Sequence, residues 1–331
     1  MSRCAWLGAL LAAAPAAAQQ SHLLVVAGLG GEPRFRDAFH EQAVTLAMAA
    51  EKQLGLAAES VVCLTEDPKR APDSIDARSS REAVLEALQG LGARSAPGDS
   101  LFLVLIGHGS YRGDEARFNL PGPDLTPADL SPYLDRLSGR QVVLVSTASA
   151  SGPFGQALAG PGRIMVTATK SGLERNETVF GEHFVAALTG DVADVDKDGR
   201  TSVLEAFDYA RREVERFYGS DKRLQTEHAV LDDDGDGKAS AEPDADGEGD
   251  GSLARRAFLG GGEGAAGAEP LPEDPALAAL YRGRRELEQR IDALRDRREA
   301  LGQGDYAARL EGLLLELAMK NEEIDTAEAG R

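Results

Sequence analysis

Two sets of residues in this chain have the types and spacing to do chemistry. The first is His108 with Ser149. His108 lies near the end of LFLVLIGHGS (residues 101–110), and Ser149 near the end of QVVLVSTASASG (residues 141–152). Each is a short apolar run, rich in branched residues, that stops in small polar residues. That pattern reads as a strand buried on both faces of a parallel sheet. Ligands of open α/β sheets bind beyond the carboxyl ends of the strands. A histidine there can act as general base and a serine as nucleophile. The second set is acidic. In DVDKDGRTSVLE (residues 194–205), Asp194, Asp196 and Asp198 alternate, Gly199 follows and Glu205 closes the run. Three carboxylates on a curled loop, a glycine for the sharp turn and a bidentate glutamate would wrap a hard cation in oxygens.

The acidic run matches the EF-hand template position by position. Asp194, Asp196 and Asp198 take positions one, three and five, Gly199 six, Ser202 nine and Glu205 twelve. Arg200, at seven, would offer only its backbone carbonyl. Thr201, at eight, departs from the usual branched apolar residue. Helical patterns flank the loop, over residues 180–188 and 203–218. Calcium is the expected cation, with a stabilising rather than a signalling role. A second run, LDDDGDGKASAEPDADGEGDGS (residues 231–252), repeats only the first half of the template. It supplies Asp232, Asp234, Asp236 and Gly237, but Pro243 stands at position twelve. Two readings are open for it: a weaker calcium site, or an acidic loop that calcium orders in part.

The order strand, His-Gly-Ser, connection, strand, x-Ala-x-x-Ser-Gly resembles the legumain- and caspase-like cysteine peptidases over residues 21–218. His108-Gly109-Ser110 fits their histidine motif. Thr147-Ala148-Ser149-Ala150-Ser151-Gly152 fits their nucleophile motif, with Ser149 where the family has cysteine. Ser149 follows His108 by 41 residues, a spacing of the family's kind. The resemblance implies a caspase-like, mostly parallel sheet with helices on both faces. It also implies that the histidine assists the nucleophile and that backbone N–H groups, Gly109 among them, hold the oxyanion. Lys170, Glu174, Arg175 and Glu177 would rim the cleft. The acidic residue that legumains keep beside the nucleophile corresponds to Thr147 or Ala150, and neither is charged.

Serine is not a chemical equivalent of cysteine. A thiol becomes a thiolate readily beside histidine, whereas a hydroxyl needs a base in reach and usually a third group to orient that base. Asp114, Glu115 and Asp124 are near His108 in sequence only. Three readings are therefore open for the pair: a degenerate pseudo-peptidase that binds or scaffolds, a serine hydrolase using Ser149 and His108, or a likeness that goes no deeper than the fold.

The remaining chain sets the context. Arg3, an apolar run from Ala5 to Ala13 and Ala16-Ala17-Ala18 before Gln19 read as a secretory signal peptide over residues 1–18. Export to the periplasm or the extracellular space is expected, with no membrane span in the mature chain. A net charge of −19 argues against nucleic acid as a partner. Cys63, within the apolar run SVVCLT, reads as a buried thiol. Gly28-Leu29-Gly30-Gly31 fits neither G-x-G-x-x-G nor a P-loop, and a tight turn is expected.

Strands are expected at 22–27, 60–65, 101–106, 141–147 and 163–169, alternating with helices at 36–54, 81–91 and 129–137. An acidic segment (219–259) and a Gly/Ala/Pro-rich linker (260–275) follow. Over 276–325, Leu280, Leu287, Leu294 and Leu301 recur every seven residues, with Ile291 beside them. Gly302 and Gly304 break the pattern before a second segment carrying Leu310, Leu313, Leu314, Leu317 and Ile324. An α-helical hairpin follows from this, packed on itself or offered to a protein partner or a second copy.

Overall fold

The computed structural model describes residues 19–220, 222–244, 249–260, 274–295 and 303–329. The expected signal peptide and most of the expected linker lie outside them. In chain order the first unit holds β1 (Ser21–Ala27), α1 (Pro33–Lys52), β2 (Val61–Thr65), β3 (Ala77–Arg78), α2 (Arg81–Arg94), β4 (Ser100–Ile106), β5 (Gly109–Arg112), β6 (Glu115–Phe118) and α3 (Pro127–Leu134). It continues with β7 (Gln141–Ser146), α4 (Gly152–Leu158), β8 (Arg163–Thr167), α5 (Phe180–Thr189), α6 (Val203–Ser220) and β9 (Val230–Asp232).

One seven-stranded sheet, ordered β3-β2-β1-β4-β7-β8-β9, runs through the unit. All its pairs are parallel except β8 with β9. β5 and β6 form a separate antiparallel ribbon. Every residue of β1 and β4 is buried, because alternate side chains enter two different cores. Leu23, Val25, Phe102, Val104, Val143 and Val145 face one core, which α1, α5 and α6 cover. Leu24, Val26, Leu101, Leu103, Val142 and Leu144 face the other, beneath α2, α3 and α4.

The helix starts follow from local chemistry. Pro33 opens α1 with its φ already suited to a helix. Ser80 Oγ accepts the Ala83 N–H at 3.1 Å ahead of α2, and Thr126 and Asp129 form a reciprocal capping box at α3. α5 has a long-range cap. The Glu227 carboxylate accepts the Val179 and Phe180 N–H groups at 2.8 and 3.2 Å, and no sequence-local signal marks that partnership.

The acidic segment 219–259 is built into this unit, not appended to it. β9 extends the sheet, and Leu231, Ala254, Ala257 and Leu259 enter the core under α6. A second unit, residues 268–331, is distinct. Its α7 (Pro275–Arg295) and α8 (Gln303–Ala329) run antiparallel. Leu277 and Tyr281 pack with Ile324, and Arg290 meets Glu316 at 3.2 Å. Gly304 lies in the first turn of α8 and does not end a helix, since the first turn has few intrahelical bonds to lose. Leu301 and Gly302 fall outside the described residues. Leu314 is exposed, as are Leu315 and Met319.

Cys63 sits on β2 inside the first core. Burial, followed by the negative charges of Asp76 and Glu51, pushes its thiol up to about 12. The thiolate is the reactive form, so the native chain at pH 8 should leave Cys63 unmodified by iodoacetamide. Guanidinium should release it to full labelling, as read by mass spectrometry of the Cys63 peptide. Labelling of the folded chain at the unfolded rate would refute this burial.

Candidate functional site

β4 and β7 are direct neighbours in parallel register, from Ser100 opposite Gln141 to Leu105 opposite Ser146. Their carboxyl ends therefore deliver His108 and Ser149 to one edge of the sheet. The Gly28–Gly31 turn supports His108 from beneath. A Cβ on Gly28 would lie 2.5 Å from the Asn119 carbonyl oxygen, and one on Gly30 2.5 Å from the Arg36 nitrogen. The glycines thus permit close backbone approach, and their number needs no nucleotide to account for it.

His108 hydrogen-bonds the Gly30 carbonyl. Its ring meets Phe35 and Phe39 edge-on, with centroids 4.6 and 5.0 Å away. Burial lowers its pKa below the ordinary histidine value, outweighing the nearby charges of Glu177 and Glu32. The imidazole is consequently neutral at neutral pH. Ser149 is 5% exposed. Its Oγ accepts the Gly109 N–H at 3.3 Å and donates to the Gly109 carbonyl at 3.1 Å. Among the described residues, no hydrogen bond joins His108 to Ser149. Nor does a carboxylate orient the imidazole. Asp114 accepts from Tyr111 at 3.4 Å, Glu115 pairs with Arg117, and Asp124 accepts the Leu120 N–H at 3.3 Å.

The turn after β7 is strained and tightly braced. Ala150 has φ +53°, a left-handed conformation that costs a non-glycine residue about 1 kcal/mol or more. Its N–H donates to the Glu174 carbonyl at 2.7 Å, and the Ser151 N–H donates to Thr169 Oγ1 at 2.7 Å. Gly152 packs where a Cβ would come 2.4 Å from the Lys170 carbonyl carbon. Of the expected rim residues, Glu177 reaches Arg34 at 3.3 Å and Arg175 donates to the Gly172 carbonyl. Glu174 braces the loop instead: its carboxylate accepts the Lys170 N–H at 2.9 Å and meets His228 Nδ1 at 2.5 Å. His228 lies some fifty residues downstream, and nothing local in the sequence announces it.

Two acidic clusters lie elsewhere in the unit. Asp194, Asp196 and Asp198 each place a carboxylate oxygen within 4.8 Å of the others, and so do Asp232, Asp234 and Asp250. Both could hold a metal ion. In the first loop, Glu205 accepts the Val195 and Ser202 N–H groups at 2.9 Å each, so its carboxylate already spans positions two and nine. Arg200 points its side chain to Asp198 at 3.2 Å. Burial, then the like charges of Asp198 and Glu205, raises Asp196 to about 6. In the second cluster Asp250, which sequence reasoning missed, joins Asp232 and Asp234. Asp236 turns to Lys238 at 2.9 Å.

No family model and no curated protein matches the chain.

The lowered pKa of the half-buried His108 has a consequence for stability. Its folded pKa is lowered, so the unfolded chain takes up a proton first as pH falls. The stability this group supports is present above about pH 6.5 and is lost as pH drops toward the depressed value. His108→Gln keeps a donor for the Gly30 carbonyl and removes the titration. Urea midpoints measured from pH 7.5 to pH 5 should fall less steeply in the variant than in the parent chain. Parallel profiles would show that His108 titrates normally.

Proposed function

We propose that this chain is an exported, calcium-binding protein of caspase/legumain-like plan, with a degenerate edge site, that works by binding or scaffolding. One observation carries the reading. The residue at the nucleophile position is a serine whose hydroxyl is committed to the Gly109 backbone. The histidine beside it is held instead by Gly30, Phe35 and Phe39. A serine without a base in contact is a poor nucleophile.

Calcium fits the first loop because it favours six to eight oxygen ligands in a flexible shell. Asp194, Asp196, Asp198, Ser202, Glu205 and the Arg200 carbonyl supply that donor set. Asp194 Oδ1 is buried with no hydrogen-bond partner among the described residues, which suits a ligand oxygen. Export would place the protein where calcium is abundant. Among the described residues no helix is long and apolar enough to cross a membrane. The exposed Leu314, Leu315 and Met319 of α8 suit a protein partner or a second copy.

A serine hydrolase is the second reading, and one feature favours it. The Gly109 N–H that faces Ser149 Oγ is the donor an oxyanion would use, and the strained Ala150 is the kind of backbone stored at functional sites. A fluorophosphonate probe separates the two. The degenerate reading expects no labelling at residue 149 in calcium-containing buffer, with the parent chain indistinguishable from Ser149→Ala. Labelling that disappears in Ser149→Ala would establish a working nucleophile and overturn the proposal.

Calcium binding has its own measurement. Calcium at a hundredfold excess over its Kd should stabilise the folded chain by about 2.7 kcal/mol per site, raising Tm. Glu205→Gln should shrink that gain. A Tm unmoved by millimolar calcium would sink the calcium reading.

A further inference from the structure

The second acidic run lacks a glutamate at position twelve, yet its first aspartate has what a ligand would have. Asp232 is 2% exposed, and its Oδ2 is buried with no hydrogen-bond partner among the described residues. A buried carboxylate oxygen left unpaired is costly and calls for an ion or a donor. Its other oxygen, Oδ1, accepts the Gly235 N–H at 3.0 Å, and Asp232, Asp234 and Asp250 each place a carboxylate oxygen within 4.8 Å of the others.

What Asp250 does is clear when the two loops are laid over one another from their first aspartates, Asp194 and Asp232. Glu205 accepts the N–H groups of positions two, three and nine, from Val195, Asp196 and Ser202, at 2.9, 3.5 and 2.9 Å. Asp250 accepts the N–H groups of the same three positions, from Asp233, Asp234 and Ser240, at 2.9, 3.5 and 3.0 Å. The inner bonds repeat as well. Asp196 accepts the Asp198 N–H at 3.1 Å, and Asp234 accepts the Asp236 N–H at 2.9 Å. Asp198 accepts from Arg200 N at 2.8 Å, and Asp236 from Lys238 N at 2.7 Å. Positive φ recurs at positions four and six, at Lys197 and Gly199 in one loop and Gly235 and Gly237 in the other.

We infer that residues 232–240 and Asp250 form a second calcium site, in which Asp250 performs the closing role that Glu205 performs in the first. The carboxylate ligands come from Asp232, Asp234 and Asp250, with the Lys238 carbonyl at position seven. The closing carboxylate arrives eighteen residues after the first ligand, where a continuous loop would bring it after eleven. Asp233 makes this possible. Its carboxylate accepts Gly251 N–H at 2.9 Å and the Leu253 and Ala254 N–H groups at 2.8 Å, pinning the returning chain so that Asp250 faces the loop. An aspartate is shorter than a glutamate, and the pinned backbone makes up the reach.

This inference deepens the calcium reading of the first loop and is independent of the reading of His108 and Ser149. The test is calorimetric titration of the whole mature chain with calcium. Two equivalents should bind to the parent, one to Glu205→Gln and none to Glu205→Gln/Asp250→Asn. Loss of all binding in Glu205→Gln alone would overturn the second site. Binding untouched by Glu205→Gln but halved by Asp250→Asn would overturn the first loop and leave the second standing. Asp234→Asn, at an exposed position, guards against misfolding of the Asp250 variant. In the Glu205→Gln background it should weaken the remaining site by at least tenfold while the near-UV spectrum stays native. Unchanged affinity there would overturn the assignment.

Discussion

A sheet buried on both faces leaves little room for polar side chains in the middle of its strands, and that constraint organises this molecule. β1, β4 and β7 send alternate residues into two cores, so a polar group within them would face apolar packing on either side. Histidine, serine and the glycines that admit them are therefore displaced to the strand ends. The parallel pairing of β4 with β7 puts two of those ends side by side. His108 and Ser149 meet one edge because of strand register, whether or not they act together. Proximity of this kind comes from topology, and chemistry requires the further alignment that a hydrogen bond between them would report.

The edge depends on material far away in sequence. Glu174, Thr169 and Thr178 hold the turn that carries Ser149, through the Ala150 N–H, the Ser151 N–H and the Thr147 carbonyl. His228 holds Glu174, and Glu227 caps α5 beside it. The two adjacent residues Glu227 and His228 thereby fasten the turn and the helix behind it. Burial raises the pKa of Glu227 even though Val179, Phe180 and Tyr218 donate to it. Desolvation is the larger effect here, and the three donors offset only part of it. A segment that reads in sequence as an acidic loop or a weaker calcium site is in this way a working part of the sheet and of its edge.

How much of this is legible in the sequence depends on range. The central strands are legible because continuous apolar runs of five to seven residues have few other uses. β9 is not, since VLD is too short to show a period, and its pairing with β8 is set by tertiary context. The β5–β6 ribbon is hidden because each strand is only four residues long: GSYR buries no residue fully, and EARF buries just Ala116 and Phe118, too few to show a period. The first acidic loop is legible because every residue of its template falls within twelve positions. Asp250 is not, because a template with fixed spacing looks for the closing carboxylate at Pro243. Only the fold reveals that Asp233 ties the returning chain at the required distance.

Charge then explains why the two acidic loops lie where they do. Each cluster gathers three carboxylates within 4.8 Å, and like charges at such separations repel by roughly 1 kcal/mol per pair even in water, more when half-buried. Folding without a counter-charge works against that repulsion, and the orphaned oxygens of Asp194 and Asp232 add a desolvation cost. The chain links the two clusters through one short segment. Asp250 begins it, Asp233 pins its middle, and Phe258 near its end lies 4.0 Å beneath the Arg200 guanidinium. Ser202 bridges Phe258, and the Val203 N–H donates to the Ala257 carbonyl at 2.8 Å. The segment that Asp233 pins therefore also braces positions seven to ten of the first loop. The contacts along this segment are the Asp233 carboxylate's bonds to the Gly251, Leu253 and Ala254 N–H groups, the backbone pairing with Ser202 and Val203, and one cation–aromatic contact, so each cluster's own charge is left to be balanced locally.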